Sequence, residues 1–379
     1  MTNEKIESIT TALVVGGGIG GMATAISLAE RGVTVDLIDI DPNWRVYGAG
    51  ITITGPTLRA YKRLGMLEAI KAEGAITNRT RLFRYDGLHM LDLDEPAIEE
   101  GLPATGGIMR PVLHRIMQTR VRELEISVRL GLSVSAMDLR NDFSVANFSD
   151  GSTGTYDLVV GADSVFSSIR DLAFPHMGPA IPTGQGCWRI SIRKPPGLEM
   201  GEFYLGHASP CGITACAPDM VYMWMLTPHV DRDAHMSDEE LFVTLKALLA
   251  DFGGNAGWIR DNMTTNDWIN YRPLAAALQP KDWYNKRVVL LGDAVHATTP
   301  HLASGAGMAV ESGIVLAEEL ARTDDVSNAL SSYQERRFDR CRDVIDTSVA
   351  VGQLQLQHGD PKEHAELLGA ALHRLNAPF

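Results

Sequence analysis

The chain has 379 residues, 45% of them hydrophobic and 21% charged, and a formal net charge of −13. That length exceeds what one core usually spans, so two domains are expected, and an acidic balance with no basic run among aromatics argues against a nucleic-acid partner. The charged start Met1-Thr2-Asn3-Glu4 lacks the apolar core of a signal peptide and no apolar stretch approaches the roughly 18 residues of a membrane span, so a cytoplasmic monomer or homodimer with no membrane partner is expected.

The apolar residues 12–15 run into Gly16-Gly17-Gly18-Ile19-Gly20-Gly21 and then into a small-residue helix start. Such a strand, turn and helix suit a dinucleotide: Gly16 permits the turn, Gly18 lets backbone approach the phosphates, Gly20 lies in the same turn, and Gly21 allows close packing of helix on strand. A glycine pattern alone is weak, and the next strand decides. Val33-Thr34-Val35-Asp36-Leu37-Ile38-Asp39 is a second apolar run ending in a carboxylate about 20 residues on, where Asp39 can accept hydrogen bonds from ribose hydroxyls. Next, Gly48-Ala49-Gly50 allows another close backbone approach, with the cation Arg45 beside it.

A single amphipathic helix is predicted over 57–72, with Leu58, Tyr61, Leu64 and Leu67 on one side, and a hairpin over 80–100 turning at Asp86-Gly87. Arg110-Pro111 opens a helix to about 125. A cation at the positive end of a helix is disfavoured unless an anion lies nearby, so Arg110 is a candidate cofactor residue. Residues 128–137 and 143–148 read as a hairpin, and residues 156–164 as a buried strand with a polar exit at Asp163-Ser164. Over 175–280 aromatics, methionines and prolines become frequent, and β-like runs at 187–192, 200–205 and 221–226 surround a short helix at 239–250. A strand over 286–291 then ends in Gly292-Asp293. Pro300 to Gly307 is a loop before a helix reaching about 320, and Gly305, Ala306 and Gly307 leave that helix a bare N-terminus able to meet a planar ring or an oxyanion. Cys187, Cys211, Cys216 and Cys341 have no metal-site spacing and read as idle thiols in a reducing compartment.

Taken in order, Gly16 to Gly21 with Asp39, Arg110, Gly161-Ala162-Asp163, and Gly292-Asp293 through Gly307 resemble the single-component FAD-dependent aromatic hydroxylases, a match running from about residue 10 to 345. The resemblance implies an α/β fold: a discontinuous Rossmann-like FAD-binding domain over 1–78, 103–175 and 281–345, a β-sheet-rich substrate domain over 79–102 and 176–280, and a C-terminal helical segment over 346–379. It implies FAD with Asp39 on the ADP half, Arg110 near the pyrophosphate and ribityl region, Asp293 on a ribityl hydroxyl, Arg45 with Ala49 and Gly50 near the isoalloxazine, and Pro300 with Gly305 to Gly307 at its pyrimidine edge. NADH or NADPH would bind transiently, and O2 would be inserted into a small aromatic or heteroaromatic substrate through a flavin C4a-hydroperoxide. The chain departs from the pattern at Asp39 for the usual Glu, at Ser164 for the usual Gly, at Ser304 for Gln, and at Ser312 for the usual acid after Glu311.

Tyr204, His207, Tyr222 and His229 are candidates for a base that deprotonates a phenolic substrate. Trp188, Phe203, Met223, Trp224 and Met225 are candidates for an apolar wall that excludes water, each equally readable as core. Arg189 could pair with a substrate carboxylate or with a surface acid, and His296 and His301 read as structural or near the flavin. A flavin dehydrogenase or reductase without oxygen insertion, suggested by Ser164, and a non-catalytic flavin sensor are the alternatives.

Overall fold

The apolar run ahead of the glycine turn forms the strand Thr11–Val15, buried after its first residue, inside a six-stranded sheet. The structure is a computed structural model and describes residues 4–46, 48–229 and 236–379. From one edge the sheet runs Tyr284–Asn285, Val288–Leu290, Leu158–Gly161, Thr11–Val15, Thr34–Asp39 and Ser127–Leu130, all parallel except the first. Near-continuous Val, Leu and Ile in these strands match a sheet covered on both faces. The parallel arrangement brings the ends at Val15, Asp39, Gly161 and Leu290 to one side, where open α/β sheets bind ligands.

Helices Ile19–Ala29 and Gly305–Arg322 pack together where Gly313 admits Thr24. Met22, Ile26, Val310 and Ile314 join Val14, Leu37, Val160 and Leu290 in one core. Each such side chain contributes about 1.5–3 kcal/mol on burial.

Antiparallel pairing builds the second layer, a seven-stranded sheet in the order Trp268–Leu278, Ile181–Arg193, Met220–Pro228, Cys211–Ala215, Gly201–Leu205, Arg79–Arg84 and His89–Asp94, with one parallel pair where Gly201–Leu205 meets Arg79–Arg84. The hairpin expected at Asp86-Gly87 is thus its edge. Alternation divides the side chains: Trp188, Ile190, Tyr204, Met223 and Met225 pack with Leu245 and Ile259 of helices Asp238–Leu248 and Gly254–Asn262. Register places Arg189 beside Trp224, Ser191 beside Tyr222, and Gly212 beside both Trp224 and Phe203, on the opposite face. A small sheet of Gly50–Thr54, Thr105–Met109 and Ala75–Thr77 joins the layers, Gly50 lying against Tyr222 and Gly107 against Ala215.

Three expectations change. The helix predicted over 57–72 is broken into Gly55–Arg63 and Leu67–Glu73, because Gly65 turns the chain at φ +72. The hairpin predicted over 128–148 divides between sheets: Ser127–Leu130 joins the parallel sheet beside Thr34–Asp39, while Val134–Leu139 pairs with Ser144–Phe148. The helix Val326–Leu356 passes position 345 unbroken, so the expected start of a separate C-terminal segment falls inside a 31-residue helix. Among the described residues no helix is long and apolar enough to cross a membrane.

Candidate active site

Gly16 takes φ +107, and a Cβ there would strike the Ala162 carbonyl, so the first strand and the 158–161 strand approach closely only because glycine stands at this position. The Gly17 N–H donates to Asp39 Oδ2 (2.7 Å), and the Gly17 carbonyl accepts from the Trp44 indole (2.9 Å) and lies 3.3 Å from His114 Nε2. Open space lies beyond Gly18, and the helix that starts there has neither a side-chain cap nor an acid in its first turn. Its free N–H groups and positive end therefore favour an anion. Gly20 packs against Leu291 and Ala309, which brings the Gly292-Asp293 strand end and the helix Gly305–Arg322 to the same glycine turn.

Asp293 is exposed, yet burial by surrounding protein raises its pKa and the charge of Arg110 opposes the rise. Desolvation lowers the pKa of Arg110, and the Arg110 guanidinium makes no ion pair or hydrogen bond among the described residues. Arg189 and Tyr222 lie in the same neighbourhood, and burial pushes Tyr222 up to about 12 against the opposing pull of Arg189 and Arg110. Tyr222 is therefore a neutral phenol near pH 7. Gly305 and Ala306 are half-exposed at a helix start that again carries no side-chain cap and no acid, since Ser304 Oγ donates to the Leu302 carbonyl (2.7 Å) instead.

A family model described as "FAD binding domain" matches residues 9–348. The chain belongs to this FAD-binding family. Putative FAD-dependent monooxygenase YetM of Bacillus subtilis is 30% identical over 94% of this chain and 96% of its own. 2-heptyl-3-hydroxy-4(1H)-quinolone synthase of Pseudomonas aeruginosa is 30% identical over 91% and 89%. Klebsiella pneumoniae HpxO, solved with FAD and uric acid, shares the fold at TM-score 0.82 and 22% identity, covering 97% of this chain and 92% of that one. The residues present fit the cofactor of this FAD-binding family: uncapped helix starts for anionic parts, the half-buried Arg110 without an ion pair among the described residues, and the accessible Asp293 carboxylate for hydroxyls.

Within the FAD-binding fold the sequence candidates separate. The Arg45 segment divides. Arg45 is exposed, its N–H and guanidinium directed at Asp41 beside the Asp39 end, whereas Gly48 lies against Arg110 and Trp268, and Ala49 and Gly50 lie against Cys216 and Tyr222. The Asp163 carboxylate is occupied as a helix cap, accepting from Ser167 Oγ (2.5 Å), Ser168 Oγ (3.0 Å) and the Ile169 N–H (3.1 Å), which leaves its backbone toward Gly16. Pro300 opens the short turn Pro300–Leu302 before the helix, and Gly307 admits Thr57 of the neighbouring helix.

Among the base candidates Tyr222 alone lies on the face with Arg189. Tyr204 is fully buried on the other face, donating to Glu202 Oε2 (2.7 Å) and stacked on Phe83. His207 packs on Phe252 and Tyr85, and His229 Nδ1 meets the Tyr271 hydroxyl (2.8 Å) at a cavity of about 930 Å³ lined by helix Asp238–Leu248. The proposed apolar wall divides the same way: Phe203 and Trp224, edge to face at 5.3 Å, share the Arg189 face, while Trp188, Met223 and Met225 belong to the core behind the sheet. Sequence reasoning missed Trp44 and His114 as holders of the glycine turn, contacts that bridge distant positions without any local motif.

Ser164 stands at φ +76, a conformation that costs a residue with a Cβ about 1 kcal/mol and suits glycine. Ser164→Gly is expected to raise the thermal midpoint by about one to three degrees, measured by calorimetry, with the affinity for FAD unchanged.

Proposed function

We propose that this FAD-dependent monooxygenase uses NADH or NADPH and O2 to hydroxylate a small planar heteroaromatic compound bearing an acidic group. The observation that carries the reading is Arg189: a desolvated guanidinium with no ion pair among the described residues, on a sheet face that also presents Tyr222, Trp224 and Phe203. The guanidinium is half-buried and its side-chain partner is the neutral Tyr222 hydroxyl, which leaves its charge unbalanced, so an anionic ligand is its natural complement. The relatives named for urate and for a hydroxyquinolone support a heteroaromatic, and they favour oxygen insertion over a dehydrogenase.

Bound FAD supplies electron transfer from NAD(P)H and the activation of O2. In this reading the 16–21 turn and Asp39 hold the ADP half, Arg110 the region between pyrophosphate and ribityl chain, and Asp293 a ribityl hydroxyl. The helix start at Gly305, Ala306 and Gly307 would favour negative charge on the bound ring by about 0.3–2 kcal/mol. Arg189 holds the substrate as its anion, and Tyr222, kept protonated, donates a hydrogen bond to it. With Tyr204, His207 and His229 on the other face, ionisation is assisted by the arginine and not by a side-chain base. Trp224 and Phe203 keep water from the reacting face. The test is a screen of phenolic and N-heteroaromatic acids for stimulated NADH or NADPH consumption under air. A product heavier by one oxygen atom is expected, and stimulated consumption yielding only dehydrogenated product overturns the assignment.

A further inference from the structure

The turn at Gly292-Asp293 is held from behind by a buried network. Gly292 takes φ +64 and ψ −149 with no side chain pressing on it, so its conformation is not imposed by crowding. Its N–H donates to Nε2 of His296 (3.1 Å), a ring 1% exposed and packed on Trp283. The same Nε2 lies 3.0 Å from Ser312 Oγ, which accepts from Arg337 Nε (3.2 Å). Arg337, fully buried, is ion-paired with Glu311 (2.8 Å) and donates to the Met308 carbonyl (3.3 Å). Met308, Glu311 and Ser312 all belong to the helix Gly305–Arg322.

We infer that His296 is a positioning residue for the cofactor: its Nε2 fastens the Gly292-Asp293 turn to the helix Gly305–Arg322, which has an uncapped start. The donors fix its tautomer. Because Gly292 can only donate, the Nε2 that accepts from it carries the lone pair and the ring proton resides on Nδ1, which has no hydrogen-bond partner among the described residues. Burial and the neighbouring Arg337 push His296 down to about 3, in keeping with a neutral ring. Ser312 is integral to this arrangement, since a carboxylate there would demand the proton on Nε2 and leave the Gly292 N–H without its acceptor. The inference rests on the assignment of Asp293 to the ribityl chain, and the turn should therefore govern the flavin half of the cofactor and not its ADP half.

The test compares FAD and ADP binding to protein freed of cofactor, by fluorescence titration and calorimetry. His296→Leu is expected to weaken FAD about tenfold or more, with ADP changed less than about twofold, and His296→Gln, whose amide oxygen can accept from Gly292, recovers most of the loss. Parallel loss of FAD and ADP would make His296 a general stabiliser, and unchanged FAD affinity would leave it no positioning role, so either overturns the inference. If His296→Leu does not fold, Ser312→Asp, which keeps the imidazole, decides by the same comparison. Wild-type protein that binds ADP but not FAD would instead defeat the flavin reading itself.

Discussion

Arg189→Gln is expected to lower kcat/KM for the substrate that best stimulates NAD(P)H oxidation by about 10²-fold while leaving the bound FAD content unchanged. A charge-assisted hydrogen bond contributes about 1.5–3 kcal/mol, and a desolvated anion left facing a neutral amide loses most of that. The glutamine amide would keep some donor capacity but neither the charge nor the forked geometry, and for the same reason Arg189→Lys should recover only part of the activity. The charge matters more here because Arg110 lies nearby: the two cations share a neighbourhood in which Asp293 is the acid that acts on Arg110, so the local potential favours an anion. Steady-state kinetics on flavin-loaded protein decide it. Activity within threefold of wild type would show that Arg189 answers to another group and that the substrate is recognised by shape alone.

The marks on which the proposed cofactor site rests are local and made of backbone. A positive φ at Gly16, an acid at the end of the next strand, and a helix start without a cap each leave a mark within a few residues, and the structure has the turn at Gly16, Asp39 accepting from the Gly17 N–H, and the uncapped start at Gly305. The face proposed to meet substrate was not legible in this way. Trp188 and Arg189 are neighbours in sequence and opposites in space, and the side that each takes depends on pairing with residues 224 and 225 and on helices at 238–262 covering one face. Of the five apolar wall candidates two, and of the four candidate bases one, share the face of Arg189, without any change in residue chemistry. Gly65 could have been weighed as a helix breaker, whereas the division of the 128–148 segment between two sheets arises from Ser127–Leu130 finding a parallel partner about 90 residues earlier.

Glu311→Gln is expected to cost about 3–5 kcal/mol of unfolding free energy at neutral pH, the range for breaking one side of a buried ion pair. The Glu311 carboxylate, 2% exposed, receives the Arg337 guanidinium (2.8 Å) and a two-pronged contact from Arg340 (2.8 and 2.9 Å). Arg340 also donates to the Leu375 and Ala377 carbonyls, so the same acid ties the helix Gly305–Arg322 to Val326–Leu356 and to the chain beyond it. Burial alone would raise the Glu311 pKa, but the paired arginines outweigh it and the net shift is downward. A carboxylate held below its unfolded value, about 4.3, contributes stability that is fully present above that value and is lost as pH falls through the folded one. The gap between wild type and Glu311→Gln should thus be widest near neutral pH and close only below about pH 4. Urea unfolding of both proteins across this range measures it, and a gap that stays constant on acidification, or one under about 1 kcal/mol at neutral pH, would mean that the arginines find water or other carbonyls when the acid is gone.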